Sequence, residues 1–228
     1  LADHPFGLRQ ALLDGTRLAS SATGTVDLSA IPLVFFDDIE LSGGGSSAQN
    51  GGGAMAGVVN LQTRQTSQPR VGLNLAGGSF GDAMMSAVGS FPFAGVRWRV
   101  GGEFVRSDGG YPFLVREFGV ENTRTRTNSD FRNIGFTLGG ILDAHAWKIT
   151  NRLFIRTSER GAPGAVLQGV VEQNSARLGD DELLFVHSST RSLTANSSLL
   201  LSGSARYSNL RYRDKDALFR GPDGAHDL

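Results

Sequence analysis

The chain has 228 residues, with 22 basic and 22 acidic side chains. That balance leaves no whole-chain electrostatic footprint for nucleic acid or an acidic partner. Cysteine is absent, which excludes disulfide frameworks, thiolate metal sites and cysteine nucleophiles. Only Lys148 and Lys215 are lysines, and the 31 glycines are the compositional outlier, about twice ordinary usage and without a collagen-like period. No apolar run approaches the ~20 residues of a membrane helix, so any membrane crossing falls to strands.

In chain order, residues 1–66 combine an apolar stretch from Phe6 to Leu13, a turn at Asp14-Gly15 and an extended segment from Val26 to Leu33. A glycine-rich run from Ser42 to Gly53 follows, and a strand-like Gly57 to Arg64 closes the zone. From residue 68 the texture becomes two-residue alternation. Val71, Leu73 and Leu75 share one parity; so do Val96, Trp98, Val100 and Phe104, against Arg97, Arg99, Gly101 and Glu103. Ile134, Phe136, Leu138 and Leu142 repeat the pattern, as do Trp147, Ile149, Leu153 and Ile155 against Lys148, Thr150, Arg152 and Arg156. Leu199, Leu201, Ala205 and Tyr207 form a further set. A period of two gives one apolar and one polar face and excludes a helix. With weaker candidates at 82–91 and 182–191, the pattern predicts about seven consecutive antiparallel strands.

Loop lengths form a second pattern. After the first connection they alternate: short at Pro92 to Gly95, long at Ser107 to Asp130, short at Asp143 to His145, long at Ser158 to Asp181, short at Ser192 to Ala195. All short turns then lie at one end of the sheet and all long loops at the other, as in outer-membrane barrels with short periplasmic turns. A soluble β-sandwich also alternates. Its strands, however, have a mode of about five or six residues, and fully charged side chains at mid-strand, such as Arg97, Arg99, Glu103 and Arg152, suit a wet or plug-filled lumen. Trp98, Trp147, Phe91, Phe93 and Tyr207 fall mostly near strand ends, as interfacial aromatics do. The predicted fold is therefore all-β: a partial transmembrane antiparallel barrel. Bacterial barrels have even strand numbers and no open edges, so a seven-stranded wall is expected to be a piece of a longer one.

Particular segments carry a family resemblance. Leu12-Leu13-Asp14-Gly15-Thr16-Arg17-Leu18 resembles the "LLDGVPL" strand-turn of TonB-dependent outer-membrane receptors, and Thr25 to Pro32 resembles their "VDLSSIP". Asp38-Ile39-Glu40-Leu41 with Gly45-Ser46-Ser47-Ala48 is similar to "IERIEVLRGPSSALYG", and Gly52 to Arg64 to "GSGAIGGVINIVTR". Gly78 to Gly81, Asn128 to Asn133 and Glu159 to Gly164 resemble barrel segments of cobalamin- and siderophore-type members. The resemblance implies that residues 1–66 are the C-terminal part of a plug domain and residues 67–228 the first barrel strands. It implies a bacterial outer-membrane location and energy-coupled uptake of a scarce nutrient (cobalamin, an iron chelate or a glycan). The implied partners are outer-membrane lipid, the small-molecule nutrient and the periplasmic TonB protein, the last through a segment this sequence does not include. Two departures stand out. The family arginine of "LRG", which pairs with acidic groups of the barrel wall, is replaced around Ser42-Gly43, and the tyrosine of "ALYG" is Gln49 or Asn50.

Candidate sites are few. The glycine run lacks the Lys-Ser/Thr of a phosphate-binding loop; Gly51, Gly52, Gly53 and Gly57 fit close packing inside the plug instead. His4, His145, His187 and His226 are scattered singly, so no metal site, no cofactor and no hydrolase triad is expected; the chain does not read as an enzyme. Asp37-Asp38 and Asp180-Asp181-Glu182 read as solvated acidic turns. Ligand contact is expected from the second extracellular loop, Ser107 to Asp130, through Tyr111, Phe113, Arg116, Arg124 and Arg126, beside Phe118, since loops on rigid scaffolds carry function and arginines suit anionic chelates. The competing readings are a passive porin-like or structural barrel and a soluble secreted β-sheet binding module.

Overall fold

The computed structural model describes residues 10–18, 35–43, 57–63, 68–117, 119–164, 166–167, 170–171 and 175–215. Its first sheet has four short strands: β1 (Gln10–Leu13), β2 (Thr16–Leu18), β3 (Asp38–Gly43) and β4 (Gly57–Gln62), ordered β2-β1-β4-β3. Strands β1 and β2 form a hairpin over Asp14-Gly15, with φ of 45° and 81°. Both central residues lie at positive φ, as a type I′ turn requires and an Asp-Gly pair tolerates. Strand β1 then runs parallel to β4, pairing Gln10 with Val58 through Leu13 with Leu61.

The second sheet is a seven-stranded antiparallel meander. Its strands are β5 (Arg70–Gly77), β6 (Ala83–Phe93), β7 (Val96–Ser107), β10 (Phe131–Ala144), β11 (Trp147–Gly161), β14 (Arg177–Thr194) and β15 (Ser197–Arg213), each paired to its sequence neighbour. The long loops hold two small hairpins, β8 (Pro112–Glu117) with β9 (Val120–Thr125) and β12 (Val166–Leu167) with β13 (Val170–Val171). The alternating segments thus form strands where their periodicity predicts. The later ones run past their apolar stretch: β14 has 18 residues and β15 has 17, against the ~10 that cross a bilayer. The excess lies at the long-loop end, so that loop 158–181 is largely strand.

Register sorts the two faces. Along β10 the odd positions from Asn133 to Ile141 are buried and Arg132, Ile134, Phe136 and Leu138 are exposed. The exposed parity continues across the sheet through Leu73, Met85, Phe104, Leu153, Ile155, Leu183, Phe185 and Leu201. This is a lipid-facing apolar band. At its short-turn end Phe91 stands opposite Trp98, whose indole Nε1 donates to the Phe93 carbonyl at 3.3 Å, and Arg191 lies 5.7 Å over the Trp147 ring. Such amphipathic aromatics mark a membrane–water interface.

The other face is the lumenal side, and the small sheet packs there. Ala11, Leu13, Phe35, Phe36, Val59 and Leu61 join Phe154, Leu184 and Val186 in one buried cluster. Gly101 makes room for it, since a Cβ at that position would lie 3.0 Å from the Phe35 ring. Placing Leu138→Arg in the apolar band is expected to cost about 2–4 kcal/mol of folding stability in lipid vesicles. The lumen-facing Ser202→Arg should stay within about 0.5 kcal/mol. Urea titration of both variants checks the assignment of faces, and equal costs would contradict it.

Candidate functional site

Two charged contacts fasten the small sheet to the wall. The Asp14 carboxylate, presented by its tight turn, accepts the backbone N–H of Thr63 at 2.8 Å and the Thr63 hydroxyl at 3.0–3.1 Å. Its Oδ2 also accepts Nη1 of Arg152, a buried wall side chain on β11. Asp37 pairs with Arg99 of β7 at 3.0 Å. The two arginines flank Gly139 of β10 in one cross-strand row. A Cβ on Gly139 would lie 3.5 Å from Arg152 Nε and 3.9 Å from Arg99 Cβ, so the glycine opens the space both guanidinium stems occupy. In the next row Phe35 meets Phe154 edge-on (centroids 5.4 Å apart) and Phe36 stacks on it at 5.7 Å. The aromatics shield the charged row from water, and its buried charge, Arg152, has a partner.

The resemblance places the locking arginine on the plug and its acids on the wall. Here the polarity is reversed: the small sheet supplies Asp14 and Asp37 and the wall supplies Arg152 and Arg99. Ser42 and Gly43 instead pair with Val58 and Gly57 in the β3–β4 ladder. Asp37 is thus no solvated turn but an ion-pair partner. The same correction applies to Asp180-Asp181-Glu182, which lie within β14. Asp180 and Glu182 bind Arg156, Glu182 binds Arg206 at 2.8 Å and Asp181 binds Arg211 at 2.6 Å. Strand continuation past the membrane turned a predicted turn into a charged ladder.

Of the predicted glycines, Gly51, Gly52 and Gly53 lie outside the described residues, as does Phe118. Gly57 opens β4 at φ 140°, where a Cβ would stand 2.9 Å from the Ser42 carbonyl oxygen. It is needed for close strand approach, not for a ligand. In the second loop, Tyr111, Phe113 and Arg126 come together: Phe80 and Phe113 lie 6.3 and 6.2 Å from the Tyr111 ring, and Arg126 stands 5.9 Å over Phe113. Arg124 is opposite Phe113 in the β8–β9 ladder and so on its face, whereas Arg116 is opposite Glu121 on the other face. The five residues therefore do not form one surface.

The rim beneath is knit across loops. Arg126 donates to the Gly164 carbonyl at 2.6 Å; Asn128, at φ 53°, donates to the carbonyls of Ala162 and Ala176; Ser129 donates to that of Gly109 at 2.7 Å. Arg177 grips Asp130 with two hydrogen bonds of 2.6 and 2.7 Å, which hold the Asp130 carboxyl below the usual carboxylate range. The motif from Asn128 to Asn133 therefore works as a loop clamp. Among the described residues no group of His, Asp or Glu could hold a metal ion. Asp14, Asp37, Phe35 and Phe36 were missed as site residues; the mid-strand charge of Arg99 and Arg152 was their only signal.

Residues 8–58 match the TonB-dependent receptor plug domain family. Over 57 residues, a quarter of this chain (25%) and 9% of the relative, the sequence is 42% identical to the vitamin B12 transporter BtuB of Vibrio cholerae. The fold resembles that of the siderophore receptor PiuA from Acinetobacter baumannii, with TM-score 0.60 and 14% identity over 89% of this chain and 29% of that one. It also resembles the pyoverdine outer-membrane receptor FpvA of Pseudomonas aeruginosa, with TM-score 0.50 and 15% identity over 96% and 42%. The chain thus spans less than half the length of the relatives it matches. It resembles TonB-dependent receptors and is an outer-membrane β-barrel protein.

Two outcomes test the site. Arg152→Met leaves the half-buried Asp14 without its cation and should destabilise the packed assembly by about 1–3 kcal/mol, read as a lower urea midpoint in detergent and faster proteolysis of residues 10–63. An unchanged midpoint would show the contact to be incidental. For the rim, the depressed Asp130 carboxyl contributes stability above an unfolded carboxyl's pKa of about 4, and loses it as pH falls through the lower folded value. Protection of the amides of residues 161–164 and 175–177, taken relative to the intrinsic exchange rate at each pH, should be lower at about pH 3 than at pH 7, and Asp130→Asn should show the low protection at both.

Proposed function

We propose that residues 1–66 act as the plug, and residues 67–228 as wall strands, of a receptor that imports a scarce nutrient across the outer membrane with energy delivered by TonB. The observation that carries this reading is the small sheet seated on the lumenal face, held by Asp14–Arg152 and Asp37–Arg99 and sealed by Phe35, Phe36 and Phe154. A passive pore has no use for such an obstruction. An ion-paired plug suits a gate that force from the periplasmic side can shift, because a bond through polar groups is strong when dry and weakens once water enters.

The nutrient class follows the relatives: BtuB carries vitamin B12 and PiuA and FpvA are siderophore receptors. Cobalamin or a ferric chelate is therefore the proposed cargo, with a glycan as the further alternative. Tyr111, Phe113, Arg124 and Arg126 are the proposed outer contacts. Stacked aromatics and an arginine held over a ring offer an amphipathic surface of low conformational entropy to a large anionic ligand. The charged lumenal row of Arg156, Asp180, Glu182 and Arg206 lies deeper.

Uptake of radiolabelled cobalamin and ferric siderophores by cells carrying the receptor tests the reading. Uptake of one of them should be saturable and should collapse when TonB is deleted or the proton gradient is discharged. Triple replacement of Tyr111, Phe113 and Arg126 by alanine should weaken binding roughly tenfold or more, as loss of central aromatic and arginine anchors does. Uptake that is linear in concentration and indifferent to TonB would support the porin-like alternative.

A further inference from the structure

The outer face of the wall carries an arginine pair that no other described residue neutralises. Arg106 on β7 and Arg132 on β10 are register partners. Both have the lipid-facing parity of Phe104 and Ile134, and both are exposed. Like charges directly opposite on one face destabilise a sheet. Neither guanidinium makes an ion pair or side-chain hydrogen bond among the described residues; Arg132 only lies over the Phe104 ring, 5.6 Å from its centroid. The carboxylate opposite Arg132, Glu159, is occupied by Arg177 at 2.9–3.0 Å. On the other side, the outward neighbours of Arg106 are Ala83 and then Gly77, which leave the space beside it open. Nearby, Arg211 pairs with Asp181 and Arg177 with Asp130 and Glu159, while Asp82, which lines a pocket with Arg106, and the exposed Asp108 make no ion pair with either arginine.

Height along the wall identifies what meets the pair. The apolar outward positions of β7 run from Val96 to Phe104, a span of about 27 Å along the strand at ~3.3 Å per residue, which a barrel tilt reduces to roughly 20 Å. Arg106 is the next outward position, and Arg132 precedes the first apolar position of β10. Both stand just beyond the hydrocarbon at the long-loop end, at the level of the outer-leaflet headgroups. Two adjacent guanidinium groups there present a fork suited to phosphate oxygens, and the Phe104 ring holds one of them in place in advance.

We propose that Arg106 and Arg132 form a binding site for the phosphorylated headgroup of an outer-leaflet glycolipid. The bound phosphate replaces like-charge repulsion with two charge-assisted contacts and ties the wall to its membrane beside the clamped loops. The inference rests on the outer-membrane position of the wall and not on the cargo, so failure to import any tested nutrient would leave it standing.

The test is native mass spectrometry of the receptor purified from outer membranes in mild detergent and titrated with diphosphoryl lipid A, dephosphorylated lipid A or inorganic phosphate. The wild type should retain diphosphoryl lipid A, and the double variant Arg106→Gln/Arg132→Gln should lose about tenfold or more of that affinity, at about a fivefold effect or so per surface cation. Arg106→Lys/Arg132→Lys should retain most of it. The dephosphorylated lipid should bind poorly to both, and millimolar inorganic phosphate should not displace the lipid. Equal retention by the wild type and the glutamine variant, or equal binding of the dephosphorylated lipid, would overturn the proposal. Displacement by inorganic phosphate would equally do so, by showing a free-anion site. Heat-modifiable migration in gels verifies folding of each variant, and if the double variant misfolds, Arg106→Gln alone carries the same expectation.

Discussion

A buried arginine in the wall of a barrel is tolerable only with a partner, and Arg152 finds its partner outside the wall. Its guanidinium faces the lumen at a level where the small sheet excludes water, so the Asp14 carboxylate must reach it or the charge would be stranded. Much of the local architecture serves that contact. The Asp-Gly turn presents the carboxylate, Thr63 fixes both of its oxygens, Gly139 clears the guanidinium stem, and the Phe35–Phe36–Phe154 cluster keeps the site dry. Because a bare ion pair of this kind adds little net stability but is costly to break on one side, it specifies where the small sheet sits more than it strengthens the fold. That is a suitable property for a part that must be seated reliably and later moved.

The wall itself answers two solvents with one backbone. Outward positions are mostly apolar between the short-turn aromatics and Phe104, interrupted by Asn151, His187 and Ser189, which hydrogen-bond to one another, and inward positions carry Ser86, Glu103, Thr137, Arg156 and Glu182, with an ion pair between the last two. Beyond the hydrocarbon the strands continue, and their extra residues become a charged collar clamped by Asn128, Asp130 and Arg177. Rigid loops at that end favour recognition of a ligand over mere exposure of loop surface.

The wall was legible in the sequence because period-two alternation is a local signal: Val96 to Phe104 and Ile134 to Leu142 declare their faces without reference to any other segment. Loop alternation added orientation in the same local way. Strand ends were not legible, since β14 begins with Arg177, Leu178, Gly179, Asp180 and Asp181, whose polarity reads as a turn but whose backbone is paired on both sides to neighbouring strands. The lock was hidden for a different reason. Asp14 and Arg152 are 138 residues apart, and Asp14 already has a sufficient local explanation as a turn residue. Arg99 and Arg152 did announce that the inner face was not bare lipid or core, yet no pattern in one sequence names the partner of a buried charge. The grouping of loop residues was half legible: composition gathered Tyr111, Phe113 and Arg126, but only the β8–β9 register separates Arg116 from them.

The central claim is that Asp14 and Arg152 are coupled across the boundary between the small sheet and the wall. A double-mutant cycle with Asp14→Asn, Arg152→Met and their combination, read by urea unfolding of the receptor in detergent, measures it directly. The account predicts a coupling energy within the roughly 0.5–3 kcal/mol seen for residues in contact, with the double variant more stable than the sum of the single losses allows. Additive losses, with coupling indistinguishable from zero, would contradict it.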